Sequence, residues 1–364
     1  MGHLIRQNRV IVATGGKCPS LERLSNGDLL VAYCDILEPR VCISMTRSTD
    51  GGKTWCKERT FKEGAWAGDE SMFYGHHGMT QLADGTILLP HMSFASSPDP
   101  MVILRKSTDQ GHTWTDPIQV IPGPGGADGW AAAPSYGKIQ TLQDGSVILP
   151  VCARKRGERF GCNGYLRSTD NGETWPEYVT AAHDRHAGDE NDFVQLPSGR
   201  ILCVARDPVN TQGHGVGPLY CCWSDDNGKT WSDLEMVSWS DPRHGHCPSF
   251  FLTKKNTLIC TYRYVAEMDQ LNIGGVAFCY VTEDGMSWGG ETYVWGGIML
   301  LSFMLGVDCM GSGYASVAYA DDERILLVHH NEQPANVCPR DLEGVFYVED
   351  DTEVPVSVGA THVP

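Results

Sequence analysis

The chain has 364 residues, 41% of them apolar and 20% charged, and carries a formal charge of −17. That balance argues against nucleic acid as a partner, because phosphate binding needs a basic face. The longest apolar run, IMLLSFMLGV at 298–307, is too short to span a bilayer, so no membrane partner is expected.

The opening residues lack the continuous apolar stretch of a secretory leader, and no Asn-x-Ser/Thr acceptor occurs. Many of the 14 cysteines sit inside apolar runs such as ILCVAR and LICTYR. These features predict buried free thiols and a cytoplasmic location, or secretion if a leader has been removed.

In chain order, a short strand-like segment, RVIVAT (9–14), comes first. Six phrases of the form strand, turn, strand follow, at 19–35, 78–92, 137–153, 192–206, 248–263 and 315–330. Between them an eight-residue box recurs: STDGGKTW (48–55), STDQGHTW (107–114), STDNGETW (168–175) and SDDNGKTW (224–231). A frayed copy, VTEDGMSW, occupies 281–288. The box tryptophans are Trp55, Trp114, Trp175, Trp231 and Trp288, a strand-rich period of the length that signals a propeller.

The expected fold is all-β: one domain over 1–364, a six-bladed β-propeller of four-stranded antiparallel blades with Asp-box turns. The sixth blade has no box, and RVIVAT is expected to supply its outer strand and close the ring. In each box an aspartate such as Asp50, with Gly52 and the Ser48 hydroxyl, forms a tight turn, and the tryptophan packs between neighbouring blades. In the frayed copy Glu283 stands at the aspartate position, where its longer carboxylate is expected to cap less well.

With the strands of each blade labelled A to D from the axis outward, the A–B turns and the boxes share one face. The opposite face gathers A-strand starts and B-strand ends. The A-strand starts carry Lys17, then His76 and His77, Ser135 and Tyr136, Asp189 and Glu190, His244 and His246, and Tyr314. The B-strand ends carry Asp35, His91, Arg154, Arg206, Arg263, His329 and His330. Ionisable groups crowded at one channel mouth point to a functional pocket.

These motifs resemble the sialidase superfamily of Asp-box, BNR-repeat six-bladed propellers. Glu190, Leu196, Gly199 and Arg206 match that family's E-x5-L-x2-G-x6-R pattern, and Gly313-Tyr314-Ala315-Ser316-Val317 resembles its G-Y-S-x-L. The resemblance implies a glycoside hydrolase acting on an oligosaccharide or glycoconjugate. Tyr314 would be the nucleophile, Glu190 its partner, and Arg206 one of three arginines clamping a substrate carboxylate. Three departures stand out. The family's R-I-P-S-L is here Lys17-Cys18-Pro19-Ser20-Leu21; no arginine matches the third clamp position in 270–278; and the acid/base loop is shortened to CDILEPR (34–40). Asp35, Glu38 and Glu70 are the candidate acid/base groups. His77, Tyr136, Arg154, His246 and Arg263 complete the expected substrate-binding ring.

Two other classes stay open. A lyase on a uronic acid would use Arg154, Arg206 or Lys17 to neutralise the carboxylate and Tyr136, Tyr314 or a histidine to abstract the adjacent proton. A binding module would use the propeller as a platform. Metal-ligand types occur in HGHC (244–247) and in the His76–His77 and His329–His330 pairs. Strand neighbours point to opposite faces, so each pair offers one ligand at most; no metal and no other cofactor is expected.

Overall fold

Every repeat folds as two successive hairpins. The computed structural model describes residues 2–35, 37, 42–61, 73–75, 78–93, 102–120, 129–209, 218–237, 246–268, 271–298, 313–331 and 341–351. Those residues form strands and turns with no helix, and so no helix long and apolar enough to cross a membrane.

The N-terminal strand β1 (His3–Thr14) precedes the first blade, which comprises β2 (Gly16–Arg23), β3 (Leu29–Asp35), β4 (Cys42–Ser48) and β5 (Cys56–Phe61). Blade 2 comprises β6 (Phe73–Gly75), β7 (Thr80–Gln81), β8 (Ile87–Ser93), β9 (Val102–Ser107) and β10 (Ile118–Gln119). Blade 3 comprises β11 (Trp130–Ala132), β12 (Gln140–Thr141), β13 (Val147–Lys155), β14 (Cys162–Ser168) and β15 (Glu177–His183). In both, the innermost strand is split into two short pieces pairing with one neighbour. Blade 4 comprises β16 (Asn191–Gln195), β17 (Ile201–Arg206), β18 (Leu219–Ser224) and β19 (Glu235–Met236). Blade 5 comprises β20 (His246–Leu252), β21 (Leu258–Met268), β22 (Leu271–Val281) and β23 (Trp288–Ile298). Blade 6 holds β24 (Gly313–Tyr319), β25 (Arg324–Asn331) and β26 (Asp341–Asp350), with β1 outermost. β1 pairs antiparallel with β26 from His3 opposite Asp350 to Thr14 opposite Asp341, so the expected closing segment 9–14 is the end of a longer strand.

The core lies between blades. One apolar cluster joins blades 1 and 2 through Leu30, Met45 and Leu89, and others join blades 2 and 3, 3 and 4, 4 and 5, and 5 and 6 in turn. A sixth, through Val31, Tyr33, Leu326 and Phe346, joins blade 6 back to blade 1 and closes the ring. Each box tryptophan packs into the cluster between its own blade and the one before: Trp55 at the seam, then Trp114, Trp175, Trp231 and Trp288. Among the described residues the interface before the boxless blade holds no tryptophan; Phe278, Tyr280 and Tyr347 pack there. The described cysteines are all free, and most are buried.

The box turn follows the expected chemistry. Ser48 Oγ accepts the Gly52 N–H at 2.9 Å, Asp50 Oδ1 accepts the Lys53 and Thr54 N–H groups at 3.0 and 2.9 Å, and Gly52 takes φ = +85°. The frayed copy differs from expectation. Asp284, not Glu283, caps that turn, accepting the Met286 N–H at 3.0 Å and the Thr282 hydroxyl at 2.5 Å. Among the described residues the Glu283 carboxylate makes no hydrogen bond. A side chain one methylene shorter, placed one residue later, closes the turn.

On this face the polar groups lace blade to blade. Asn171 of the third box donates to Asp84 in the blade 2 A–B turn at 2.5 Å, and Asn227 of the fourth donates to Asp144 in the blade 3 turn at 2.7 Å. Arg200 in the blade 4 turn reaches Asp225 at 2.7 Å and the Asp284 carbonyl at 2.8 Å. The chemistry of the box face is thereby spent on the scaffold, and the opposite rim is left for the pocket.

Candidate active site

On that rim, three innermost strands begin with the same irregularity. The register slips between Lys17 and Ser20 in β2, between His246 and Ser249 in β20, and between Gly313 and Ser316 in β24. At each slip a non-glycine residue takes the left-handed backbone region: Cys18 at φ = +49°, Cys247 at +52° and Tyr314 at +49°. Such residues cost on the order of 1–3 kcal/mol each and cluster where backbone is re-aimed for function. The following serine then ties the blade to its neighbour. Ser20 Oγ accepts the Met79 N–H at 2.8 Å and Ser316 Oγ accepts the Leu21 N–H at 2.9 Å.

The bulge in β24 brings Tyr314 to Glu190, which precedes β16. The phenol Oη donates to Glu190 Oε1 at 2.5 Å. The bulge in β20 turns the Cys247 N–H onto the other oxygen, Oε2, at 2.8 Å. Arg206, at the end of β17, donates its backbone N–H to the Glu190 carbonyl at 2.9 Å, which sets its guanidinium beside the same carboxylate. Arg206 Nη1 lies 3.4 Å from Glu190 Oε2 and its Nε 3.5 Å from Asp189 Oδ2.

The charges follow from this geometry. Glu190 is only 3% exposed. Burial works against the charge on Arg206, but Glu190 and Asp189 outweigh it and hold the guanidinium above its ordinary value. Burial, the Cys247 sulfur and the Glu190 charge push Tyr314 well above the usual phenol range, so it stays protonated. Burial and Glu190 likewise keep Cys247 a thiol. Burial and the Glu190 charge push Asp189 up to about 6, against the opposing pull of Arg206.

Around the pair stand two further groups. His330 stacks on Tyr314, with ring centroids 5.8 Å apart and planes 23° apart. Arg263, in the middle of β21, sits opposite His246, the first residue of β20. A Cβ added to Gly313 would meet Arg263 Cδ at 3.4 Å and His330 Cε1 at 3.3 Å, so the absence of a side chain there admits both. Arg263 is 8% exposed, and its buried Nε has no hydrogen-bond partner among the described residues.

Tyr136 is half-buried on the blade 3 side, and burial followed by the Cys152, Glu190 and Asp189 charges raises its phenol well above its usual range. A cavity of about 440 Å³ opens there, lined by Tyr136, Arg154, Arg159, Arg185 and Asp189 among others. Arg154, at the exposed end of β13, lines this cavity. Lys17 lies half-buried in the β2 bulge.

Asp35 sits elsewhere in its bonding. It is 2% exposed, held by Lys57 of the outer strand at 2.7 Å, by Ser44 at 2.8 Å and by the Leu37 N–H at 3.1 Å. Those contacts occupy its carboxylate within blade 1. Glu38, Glu70, His76, His77 and His244 lie outside the described residues, and for His246 only the backbone position is described.

Sequence reasoning named Glu190, Tyr314, Arg206 and Arg263, but not the Cys247 N–H. A backbone donor leaves no side-chain signature; the repeated Cys-Pro-Ser at 18–20 and 247–249, aligned with Tyr-Ala-Ser at 314–316, was the available signal.

Residues 97–289, more than half of the chain, match the family model of the BNR repeat-like domain, and the chain belongs to this family of propellers. Its curated relatives are sialidases. It is 28% identical over 246 residues to the sialidase of Micromonospora viridifaciens, covering 56% of this chain and 36% of that protein. It is 26% identical over 248 residues to the sialidase of Bacteroides fragilis, covering 60% of this chain and 43% of that one. The matches thus span less than half the length of these relatives. Among solved structures, a Dyadobacter fermentans protein of unknown function superposes with a TM-score of 0.73 at 19% identity, over 95% of this chain and 99% of that one. The Trypanosoma rangeli sialidase, as its covalent intermediate with 2,3-difluorosialic acid, gives 0.63 at 15% identity over 91% and 54%. At these identities the structural likeness carries the six-bladed fold.

Proposed function

We propose that this chain is a retaining, exo-acting glycoside hydrolase that removes a terminal carboxylated sugar from a glycan. The carrying observation is the 2.5 Å contact from Tyr314 Oη to Glu190 Oε1, with the other carboxylate oxygen fixed by the Cys247 N–H. A phenol held protonated is a poor nucleophile until a carboxylate accepts its proton. In the first step the Tyr314 proton passes to Glu190, the phenolate oxygen bonds to the anomeric carbon, and the bond to the leaving oxygen breaks as that oxygen is protonated by an acid. Asp35 is engaged by Lys57 and Ser44, which favours Glu70 or Glu38 as that acid. Water, giving a proton back to the acid deprotonated in the first step, then attacks the anomeric carbon; the bond to the tyrosine oxygen breaks, and that oxygen recovers its proton from Glu190.

The carboxylate preference is supported by the cationic side of the pocket. Arg263 has a buried Nε without a partner among the described residues, and its charge and that of Arg206 both act on the Cys247 sulfur. A guanidinium fork suits a planar carboxylate. Lys17 adds charge without a fork. The cavity with Arg154, Arg159 and Arg185 gives the next unit of an acidic glycan a place to lie.

Glu190→Gln is expected to lower kcat by roughly 10²–10⁴-fold, the usual worth of a general base, while binding of the intact glycoside is kept. Tyr314→Phe is expected to abolish formation of a covalent glycosyl adduct, read by intact mass after a 2-fluoro sugar trap. Unchanged turnover in Glu190→Gln overturns the assignment. An unsaturated product absorbing in the ultraviolet would indicate elimination at a uronic acid instead.

A further inference from the structure

We propose that Glu158, Cys162 and His183 form a binding site for a zinc-class divalent ion that staples the β13–β14 hairpin to β15. The ligand atoms of the three residues all lie within 4.8 Å of one another. Two are placed by strand register: Cys162 opens β14, His183 ends β15, and the two are directly paired across the antiparallel ladder. Directly opposed residues share one face of the sheet with their Cβ atoms a few ångströms apart. The third comes from the hairpin loop, which turns back through the Glu158 N–H to Lys155 carbonyl bond at 3.2 Å.

Two further observations point to a ligand. Glu158 Oε2 is shielded from solvent and has no hydrogen-bond partner among the described residues; His183 Nε2 approaches it at 3.4 Å without completing a bond. Cys162 is 3% exposed, whereas the His183 side chain is 44% exposed, which gives an ion a way in. A surface histidine–carboxylate pair alone is worth little and leaves the facing sulfur unexplained. The set of sulfur, imidazole and carboxylate suits zinc and its neighbours rather than calcium or magnesium, which take oxygen ligands. Thiolate and carboxylate together balance the ion's two charges, and the fourth tetrahedral position is left to water.

The staple bears on the pocket, and does so whatever reaction the pocket performs. The same hairpin loop carries Arg159, Phe160 and Gly161 in the cavity wall. Gly161 packs backbone against backbone on Gly188, where an added Cβ would come within 2.6 Å of the Gly188 Cα. Gly188 leads directly into Asp189 and Glu190. An ion at the staple therefore fixes one wall of the cavity and the approach to the glutamate.

The test uses the full chain, stripped with a chelator and titrated with cobalt(II) as a spectroscopic probe, then with zinc in competition. One equivalent is expected to bind with a thiolate-to-cobalt charge-transfer band. Cys162→Ser should abolish the band. His183→Gln, at an exposed position that does not threaten folding, should weaken zinc binding by more than the roughly 10–100-fold that even outer-sphere partners contribute. Zinc should slow tryptic cleavage after Arg159 in the parent chain and leave the rate unchanged in His183→Gln. A missing band, a band that survives both substitutions, or cleavage indifferent to zinc overturns the proposal.

Discussion

Asp189 and Glu190 share Arg206, and that sharing has a consequence for binding. Asp189 titrates near 6, raised first by burial and then by Glu190. Above that pH its carboxylate is ionised and competes with an anionic substrate for the guanidinium; below it the competition is relieved. KM for a carboxylated substrate is therefore expected to fall as pH drops through about 6, with kcat less affected. Asp189→Asn should give a low KM that no longer changes across that range. Steady-state kinetics from pH 5 to about 8 would read this, and a variant with the parent's profile would refute it. At this scale the motif spacing anticipated that Glu190, Arg206 and Tyr314 come together, because side-chain types at fixed intervals are written in the sequence. It was silent on the Cys247 N–H, because a left-handed bulge is a property of the backbone. It also could not tell that Asp35 is taken up by Lys57, twenty-two residues on.

Among the elements, the box turns divide their labour in a way composition alone conceals. In the regular copies the aspartate is held well below the usual carboxylate range: Asp109, Asp170 and Asp226 sit at about 2, mainly through the hydroxyl and N–H of the threonine four residues on. A carboxylate depressed by folding stabilises the fold above its ordinary value. That contribution is lost as pH falls from about 4 toward 2. In the frayed copy Asp284 is lowered in the same sense by Thr282 and the Met286 N–H. Asp284→Ala is therefore expected to lower the melting temperature at neutral pH, and Glu283→Ala to leave it unchanged. Equal losses from the two variants in a thermal melt would contradict the turn described above. The repeat made five hairpin turns legible, and the frayed spelling hid only which carboxylate serves. Box alignment by column assigns Glu283, whereas reach from Thr282 selects Asp284.

Across the whole molecule, the ring is held by contacts that each join two or three blades. Asp192 is the extreme case. Its carboxylate, fully buried, accepts N–H groups from Lys138 of blade 3 at 3.0 Å, Phe193 of blade 4 at 2.9 Å and Phe250 of blade 5 at 2.8 Å, and the Ser249 hydroxyl at 3.1 Å. Asp192→Asn keeps one acceptor oxygen and sets an amide donor against the Phe250 N–H. The expected cost is about 1–3 kcal/mol, the penalty for a buried donor left unmade, measured by denaturant unfolding. No loss would mean that the three-blade junction is dispensable. The six-bladed architecture was legible from six hairpin phrases and five boxes, since period and strand pattern are written in the sequence. The Asp192 junction was not, because nothing in the FVQL context marks a carboxylate that serves three blades at once.

The strand His3–Thr14 pairs with Asp341–Asp350, so two of the most distant stretches of the chain complete one sheet. During synthesis on the ribosome the earlier stretch emerges some three hundred residues ahead of its partner. It must wait with Leu4 and Val12, buried in the finished sheet, still in water. Long-range pairing of this kind is slow to form, so the nascent chain carries a sticky edge until the final blade arrives. A holding chaperone that shields that first stretch would raise the yield of folded protein more than one acting on any later segment.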